Sequence, residues 1–366
     1  MFKKRPILKW FLIIFIGLIV SLFSFGYWFM SLLPKENNKA SLKSTLVENL
    51  PYLSKDSIAP RGKILAVVTS VDVMGNSEKS TGYELTELSR AYYVFKANGF
   101  EVDIASPQGG KPPVVIDGDD MGAYDYAFLN DTIAQYKTSN TIHINDVVAS
   151  DYQAVFFAGG KGAMFDFPQN KAIQSIVSEY YQSGKVVGAV CHGPAALVNV
   201  TLDNGSSLLK NKMVSSFTND EELLLIPDAE SIFPFLLQDK LISQGARFNE
   251  GEMYLEKISH DGNLVTGQNP WSTWILAETM IKQLGYTPKK RKITAEENAV
   301  KILAVYRDQG SREAKAMIKK MVSQQKSIDR IVIASHSIVA IMQKDIGTFF
   351  DLVGLVSFIK NKTTND

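Results

Sequence analysis

An α/β fold, with a doubly wound and mostly parallel sheet covered by helices on both faces, is what this sequence predicts. Three observations carry that prediction. Four apolar runs of strand length recur, at 63–70, 101–106, 151–158 and 185–190. Apolar residues at helical spacing lie between them, and glycine, proline or polar turns end each run. Runs without alternation suit strands buried on both faces, and a β-α-β order with short turns calls for crossover helices.

The first element in the chain lies outside that sheet. Lys3, Lys4, Arg5 and Lys9 precede an uncharged apolar run from Trp10 to Leu33. As a helix, the run is long enough for the ~30 Å of bilayer hydrocarbon. Trp10 at one end and Tyr27 with Trp28 at the other suit the two interfaces. The basic flank, residues 1–9, is expected to stay cytoplasmic, which puts the rest of the chain on the extracytoplasmic side. The run exceeds an ordinary signal-peptide core and no small-x-small cleavage site follows, so an uncleaved single-pass anchor is expected at 10–33, with the lipid bilayer as its partner. Residues 34–61 read as a polar linker in which Leu46 to Leu53 can dock on the domain.

The domain spans 62–286 and opens with the first strand. Leu85, Leu88, Tyr92 and Phe95 then line one helix face, closed by Asn98-Gly99. The second strand is cut off by Pro107, and 111–150 shows few regular signals beyond a short helix near Tyr124. The third strand runs into Gly159-Gly160-Lys161-Gly162. A helix from about Asn170 to Ser183 leads to the fourth, short strands mix with helices over 212–267, and Trp271 to Leu284 closes the domain. Residues 287–366 read as a helical extension behind a basic linker, Pro288 to Lys292. Its apolar runs, 331–342 and 349–359, are each too short to span a bilayer. They suit packing on the domain first, then a partner or the membrane surface.

Composition excludes some functions. With 39 basic and 38 acidic residues the net charge is +1, short of the basic surplus that nucleic-acid binding needs. One cysteine rules out a disulfide-stapled scaffold. The four histidines, His143, His192, His260 and His336, are widely separated, so no metal site is expected.

The chemistry centres on that cysteine. Gly188-Ala189-Val190-Cys191-His192-Gly193-Pro194 reads as a strand turning sharply into a helix. Such a turn is strained, needs small neighbours and lifts its middle residue to the sheet edge. A reactive thiol is expected there rather than a core cysteine. Ser70, Gly159-Gly160 and Cys191 all fall at carboxyl ends of strands, where sites gather in parallel sheets. A helix starting at Pro194, with His192 alongside, is expected to lower the thiol's pKa.

Five motifs occur in order: Thr81-Gly82-Tyr83-Glu84-Leu85-Thr86-Glu87-Leu88, Ala158-Gly159-Gly160-Lys161-Gly162-Ala163-Met164, Ala189-Val190-Cys191-His192-Gly193-Pro194, Phe217-Thr218-Asn219-Asp220-Glu221-Glu222 and Thr266-Gly267-Gln268-Asn269-Pro270. Together they resemble the DJ-one/PfpI superfamily, of flavodoxin-like, class I glutamine amidotransferase-like fold. The resemblance is greatest to the branch holding glyoxalase III enzymes and heat-shock holding chaperones, and it covers about residues 62–286. It implies Cys191 as nucleophile, His192 as its neighbouring histidine and Glu87 as the acid bonded to the cysteine. Glu222 would orient the histidine, with Glu221 as fallback, and the Gly160 and His192 amides would form an oxyanion site. Gly159, Lys161 and Asn219 are expected at the substrate pocket. Two departures stand out: Lys161 where the branch commonly has histidine, and Ala158 where proline usually precedes the glycines.

The implied activity is conversion of a small carbonyl substrate, a 2-oxoaldehyde, to a 2-hydroxy acid without glutathione, redox cofactor or metal. The resemblance also implies a homodimer. A holding chaperone of the stress response and a cysteine peptidase or amidase stay open. So do plainer readings: Glu87 as a first-turn carboxylate, Glu222 in a solvated acidic face, Asn219 as a helix cap, and the two glycines as a tight turn.

Overall fold

A computed structural model describes residues 6–34, 41–118 and 120–363. Lys3, Lys4 and Arg5 of the expected flank, and residues 35–40 of the expected linker, lie outside the described residues. Contacts divide the chain into two units, residues 40–300 and residues 1–39 with 301–366.

The larger unit is built on strands β1 (Lys63–Val67), β2 (Tyr83–Glu84), β3 (Glu101–Ser106), β4 (Val114–Val115), β5 (Ile142–His143), β6 (Tyr152–Phe157), β7 (Val186–Val190), β8 (Met213–Val214), β9 (Arg247–Phe248), β10 (Ile258–Asp261) and β11 (Leu264–Gly267). Seven of them form one sheet in the order β10-β11-β7-β6-β1-β3-β5. Every neighbouring pair is parallel except the β10–β11 hairpin. The chain builds outward from β1 through β3 to β5, then returns to β6 on the other side. That reversal leaves a crevice beyond the carboxyl ends of β1 and β6, the place where open parallel sheets bind ligands.

Both faces of the sheet are dry, and the period-2 alternation of strand side chains sorts them into two cores. Ile64, Ala66, Ala154, Phe156 and Val186 point to one layer with Leu88, Phe95 and Met280. Leu65, Val67, Val155, Phe157 and Val187 point to the other with Ile173, Val177 and Tyr180. The helices Leu85–Ala97 and Thr273–Gln283 cover the first face, and Lys171–Gln182 covers the second. This is the mixed α/β architecture with a mostly parallel sheet that the apolar runs predict.

Two elements differ from expectation. The chain after Cys191 forms a buried five-residue 3-10 turn, Gly193–Leu197, rather than an α-helix. Over 111–150 there are two helices, Ala123–Asn130 and Thr132–Ser139. The second is set by Asp131, whose carboxylate accepts the N–H groups of Ile133 and Ala134 at 3.0 and 3.2 Å. The stretch before β1 docks through Leu50 and Tyr52, which are buried. The basic run after the domain is also held down: Arg291 lies 4.2 Å over the Trp274 ring and pairs with Glu278 and Glu297.

In the smaller unit a 27-residue helix, Pro6–Leu32, contains a segment, Trp10–Leu32, long and apolar enough to cross a membrane. Phe25 near its end meets Phe349 and Phe350 at ring centroid distances of 6.0 and 6.5 Å. The part of Ala295–Gln309 from Lys301 on, with the helices Ser311–Ser323, Arg330–Met342 and Ile346–Thr363, belongs to the same unit.

Phe156 is fully buried and meets Phe95 edge-on at 5.8 Å. Phe156→Ala is expected to cost about 3–5 kcal/mol, read as a lower denaturation midpoint at unchanged slope. A loss below about 1 kcal/mol would contradict this account of the core.

Candidate active site

The site is assembled where three backbone segments pass too close for side chains. A Cβ on Gly159 would stand 2.6 Å from Glu87 Oε2, 2.7 Å from the Val190 carbonyl and 2.8 Å from the His192 nitrogen. Gly160 has φ +98°, a conformation that favours glycine, and a Cβ there would strike the Gly82 carbonyl. The glycine pair therefore brings 82–87, 159–160 and 190–192 together.

Cys191 sits on this junction with φ +58°. That is rare for a residue with a side chain and persists only where the surroundings impose it. Its N–H donates to the Gly267 carbonyl and its carbonyl accepts the Phe217 N–H, both at 2.9 Å. A Cβ on Gly193, on the other side of the turn, would strike the Phe157 carbonyl. The elbow is clamped from both ends.

From the sulfur a chain of contacts runs inward. Cys191 Sγ lies 3.3 Å from His192 Nδ1, and His192 Nε2 lies 2.6 Å from Glu222 Oε2. Burial pushes the Glu222 carboxyl up, but His192 and the charge of Lys161 more than reverse this and hold it below its ordinary range. An ionised Glu222 takes the Nε2–H, which leaves Nδ1 with its lone pair toward the thiol. Phe217 packs on the imidazole at 4.7 Å and fixes the ring plane.

On the other side of the sulfur stands Glu87, in the first turn of Leu85–Ala97. It is fully buried, and its Oε2 accepts the Gly159 N–H at 2.6 Å. Among the described residues Oε1 has no N–H or O–H partner; the Cys191 thiol is the hydrogen-bonding neighbour of this carboxyl. Burial pushes Glu87 up to about 8, against the opposing pull of the thiol and the Gly159 N–H. Burial likewise pushes the Cys191 thiol well up, and a negative Glu87 adds to it. The low thiol pKa expected from a following helix is thus overturned: the 3-10 turn has little dipole to offer, and the sulfur is dry beside a carboxyl. The two groups titrate as one pair. At neutral pH the proton belongs on Glu87, and a protonated carboxyl donates to sulfur instead of repelling its charge.

The structure separates the remaining candidates. Glu221 does not reach His192; its carboxylate accepts from the Thr218 N–H and hydroxyl, the Tyr254 N–H, Gln268 and Asn269 at 2.7 to 3.2 Å, tying three segments together. Asn219 donates from its side chain to Asp239 at 2.7 Å, and Thr218 is the cap of its helix. Lys161 extends positive potential to Cys191, Glu222 and Glu84. Among the described residues, the N–H groups of Gly160 and His192 donate to no acceptor. No group of three His, Cys, Asp or Glu able to hold a metal occurs among them either.

Two acidic residues escaped the sequence reading. Burial, then Glu87, Asp120 and Asp117, pushes Glu84 well up, and burial pushes Asp120 up to about 7. Glu84 Oε1, Asp120 Oδ1 and Glu222 Oε1 find no hydrogen-bond donor among the described residues. Glu84 stood inside a quoted motif, whereas Asp120 lies in a stretch without periodicity. It is held by Arg90, which donates to the Asp120 carbonyl at 2.7 Å and pairs with Asp125 at 3.3 Å.

A parallel sheet carrying a cysteine on a strained elbow, with histidine and carboxylates converging on it, defines a cysteine-centred α/β protein. Comparison with known proteins is specific about which. Residues 79–223 match the DJ-1/PfpI family model. The glutathione-independent glyoxalase HSP31 of Saccharomyces cerevisiae is 31% identical over 246 residues, 62% of this chain and 99% of the relative. Glyoxalase 3 of Candida albicans is 31% identical over 231 residues, 60% of this chain and 97% of the relative. Among solved structures, the 24 kDa Rapid Encystment Protein of Francisella tularensis superposes with a TM-score of 0.58 at 36% identity, covering 61% of this chain and 99% of that one. Glyoxalase III of Candida albicans does so with a TM-score of 0.56 at 28% identity, covering 61% and 97%. The chain belongs to the DJ-1/PfpI family.

A carboxyl whose folded pKa is raised is stabilising in its protonated form, so stability falls as pH climbs from the ordinary carboxylate range through about 8. Glu87→Gln is expected to flatten that fall, measured as denaturation midpoints across the window. An unchanged pH slope in the variant would mean that Glu87 is not the group responsible.

Proposed function

We propose that this chain is a glyoxalase III-like cysteine enzyme, anchored in a membrane, that converts small 2-oxoaldehydes to 2-hydroxy acids without glutathione. The observation that carries this reading is the Sγ–His192–Glu222 chain, 3.3 and 2.6 Å long, with a buried carboxyl on the far side of the sulfur. The glyoxalase names of the relatives support the reaction class. The apolar Trp10–Leu32 helix supports the anchor, with the basic flank cytoplasmic and the catalytic domain outside. Cys191 is 5% exposed and His192 1% exposed, which favours small substrates over polypeptides and speaks against a peptidase.

Each step then has an owner. His192 Nδ1 takes the thiol proton while Sγ adds to the aldehyde carbon. The carbonyl oxygen becomes a hemithioacetal oxyanion, to which the unpaired Gly160 and His192 N–H groups donate. The former aldehyde hydrogen leaves its carbon as a proton, giving an enediol. A proton returned to the neighbouring carbon gives the thioester of a 2-hydroxy acid. Glu87, pushed up to about 8, and His192 suit these transfers because each can give and accept a proton. Water cleaves the thioester, releasing the acid and the Cys191 thiol.

The purified full chain in detergent should form the 2-hydroxy acid from methylglyoxal with no glutathione added. Cys191→Ala should abolish it, and Glu222→Gln should lower kcat by about 10²-fold or more, the scale of general acid–base assistance. Turnover that survives Cys191→Ala, or that requires glutathione, would overturn the proposal.

A further inference from the structure

Glu296 lies beyond residues 62–286, in the first turn of Ala295–Gln309, yet it is buried against the larger unit. A Cβ on Gly122 would stand 2.8 Å from Glu296 Oε1 and 3.1 Å from Oε2. The carboxylate thus fills the space that a side chain at 122 would need. Its own segment is pinned. Thr294 and Glu297 cap the helix start reciprocally, at 2.9 and 3.2 Å. Arg291 holds both Glu297 oxygens at 2.5 and 2.7 Å and Glu278 at 2.8 Å.

From Gly122 the contacts lead to the cysteine site. The Gly122 N–H donates to Asp125 Oδ2 at 2.9 Å, and Asp125 pairs with Arg90 at 3.3 Å. Arg90 is 2% exposed and donates to the Asp120 carbonyl at 2.7 Å and the Pro270 carbonyl at 3.3 Å. It seats Asp120 through the backbone, leaving Oδ1 with no donor among the described residues. On Leu85–Ala97, Glu87 stands about one turn before Arg90. On its other side, Glu84 of β2 pairs with Val115 of β4. The chain from β4 to Asp120 is therefore tied down at two places, three residues on either side of Glu87.

We propose that Glu296 is a positioning residue for the cysteine site: through Gly122, Asp125 and Arg90 it keeps Asp120 beside the helix turn that carries Glu87. Its role in turnover rests on the reaction proposed above, whereas the seating of Asp120 does not. The effect of that seating is electrostatic. The titratable and charged groups facing Glu87 are Cys191 from the elbow, Asp120 from its loop, and Glu84 and Arg90 from its own segment. Burial pushes Glu87 up most; of the two charges beyond the site, Asp120 adds to this and Arg90 opposes it. Burial pushes Asp120 itself up to about 7, so it is largely ionised where Glu87 gives up its proton, near 8. Displacing Asp120 removes that negative charge and leaves Arg90 less compensated. Both changes let Glu87 ionise at a lower pH.

The test reads the Glu87 carboxyl stretch against pH in the full chain, as the infrared difference from Glu87→Gln in each background. Wild type, Glu296→Ala, Asp120→Asn and the double variant are compared. The expected midpoint is about one pH unit lower in each single variant, the scale of one lost neighbouring charge, with no further drop in the double variant. The alkaline limb of kcat/KM moves down with it, while KM changes little. An unmoved midpoint in Glu296→Ala overturns the inference. A further drop in the double variant, or an unmoved midpoint in Asp120→Asn, overturns it too, because Glu296 would then act by another route. If Glu296→Ala does not unfold cooperatively, Glu296→Gln, which keeps the side chain's size, is read in its place against the same outcomes. Midpoints that shift as stated in a chain that makes no 2-hydroxy acid overturn the reaction and leave the seating of Asp120 standing.

Discussion

Glu87 is fully buried, and its carboxyl is placed by one short hydrogen bond from the Gly159 N–H at 2.6 Å. That bond exists because Gly159 has no side chain, and the same vacancy lets the Val190 carbonyl and the His192 nitrogen close in. Three loops from three strand ends are thereby locked in one place. A charged carboxylate in such surroundings is costly, so the group resists ionisation until about pH 8. The sulfur beside it meets a proton donor on one face and a histidine with a free lone pair on the other.

The two carboxylates of the site are thus pushed apart by their environments. Glu222 pairs with an imidazole and stays ionised, while Glu87 pairs with no cation among the described residues and stays protonated. Opposite displacements of this kind divide acid from base. Glu221 makes the contrast plain, because it neighbours Glu222 in sequence yet spends its oxygens on five donors that tie the surrounding loops.

Much of this was legible in the residues. The apolar runs located β1, β3, β6 and β7 because strands dry on both faces need no alternation. The elbow was legible because only small neighbours tolerate it. Other parts were not. β10 and β11 are four residues each, too short for a periodic signal. The turn after Cys191 mimics a helix start, since Gly-Pro suits a 3-10 turn as well as an α-helix. The thiol's raised pKa depends on burial and on a carboxyl about one hundred residues earlier in the chain, neither of which local spacing reports. Asp120 enters only because Arg90 draws its loop in through the backbone carbonyl.

The central claim is that Glu87 carries a proton beside Cys191 at neutral pH. Infrared difference spectroscopy of the wild type against Glu87→Gln reads it directly. A protonated carboxyl stretch at neutral pH, absent from the variant and titrating away near pH 8, is the predicted result. A Glu87 signal that is already that of a carboxylate at neutral pH would contradict the account.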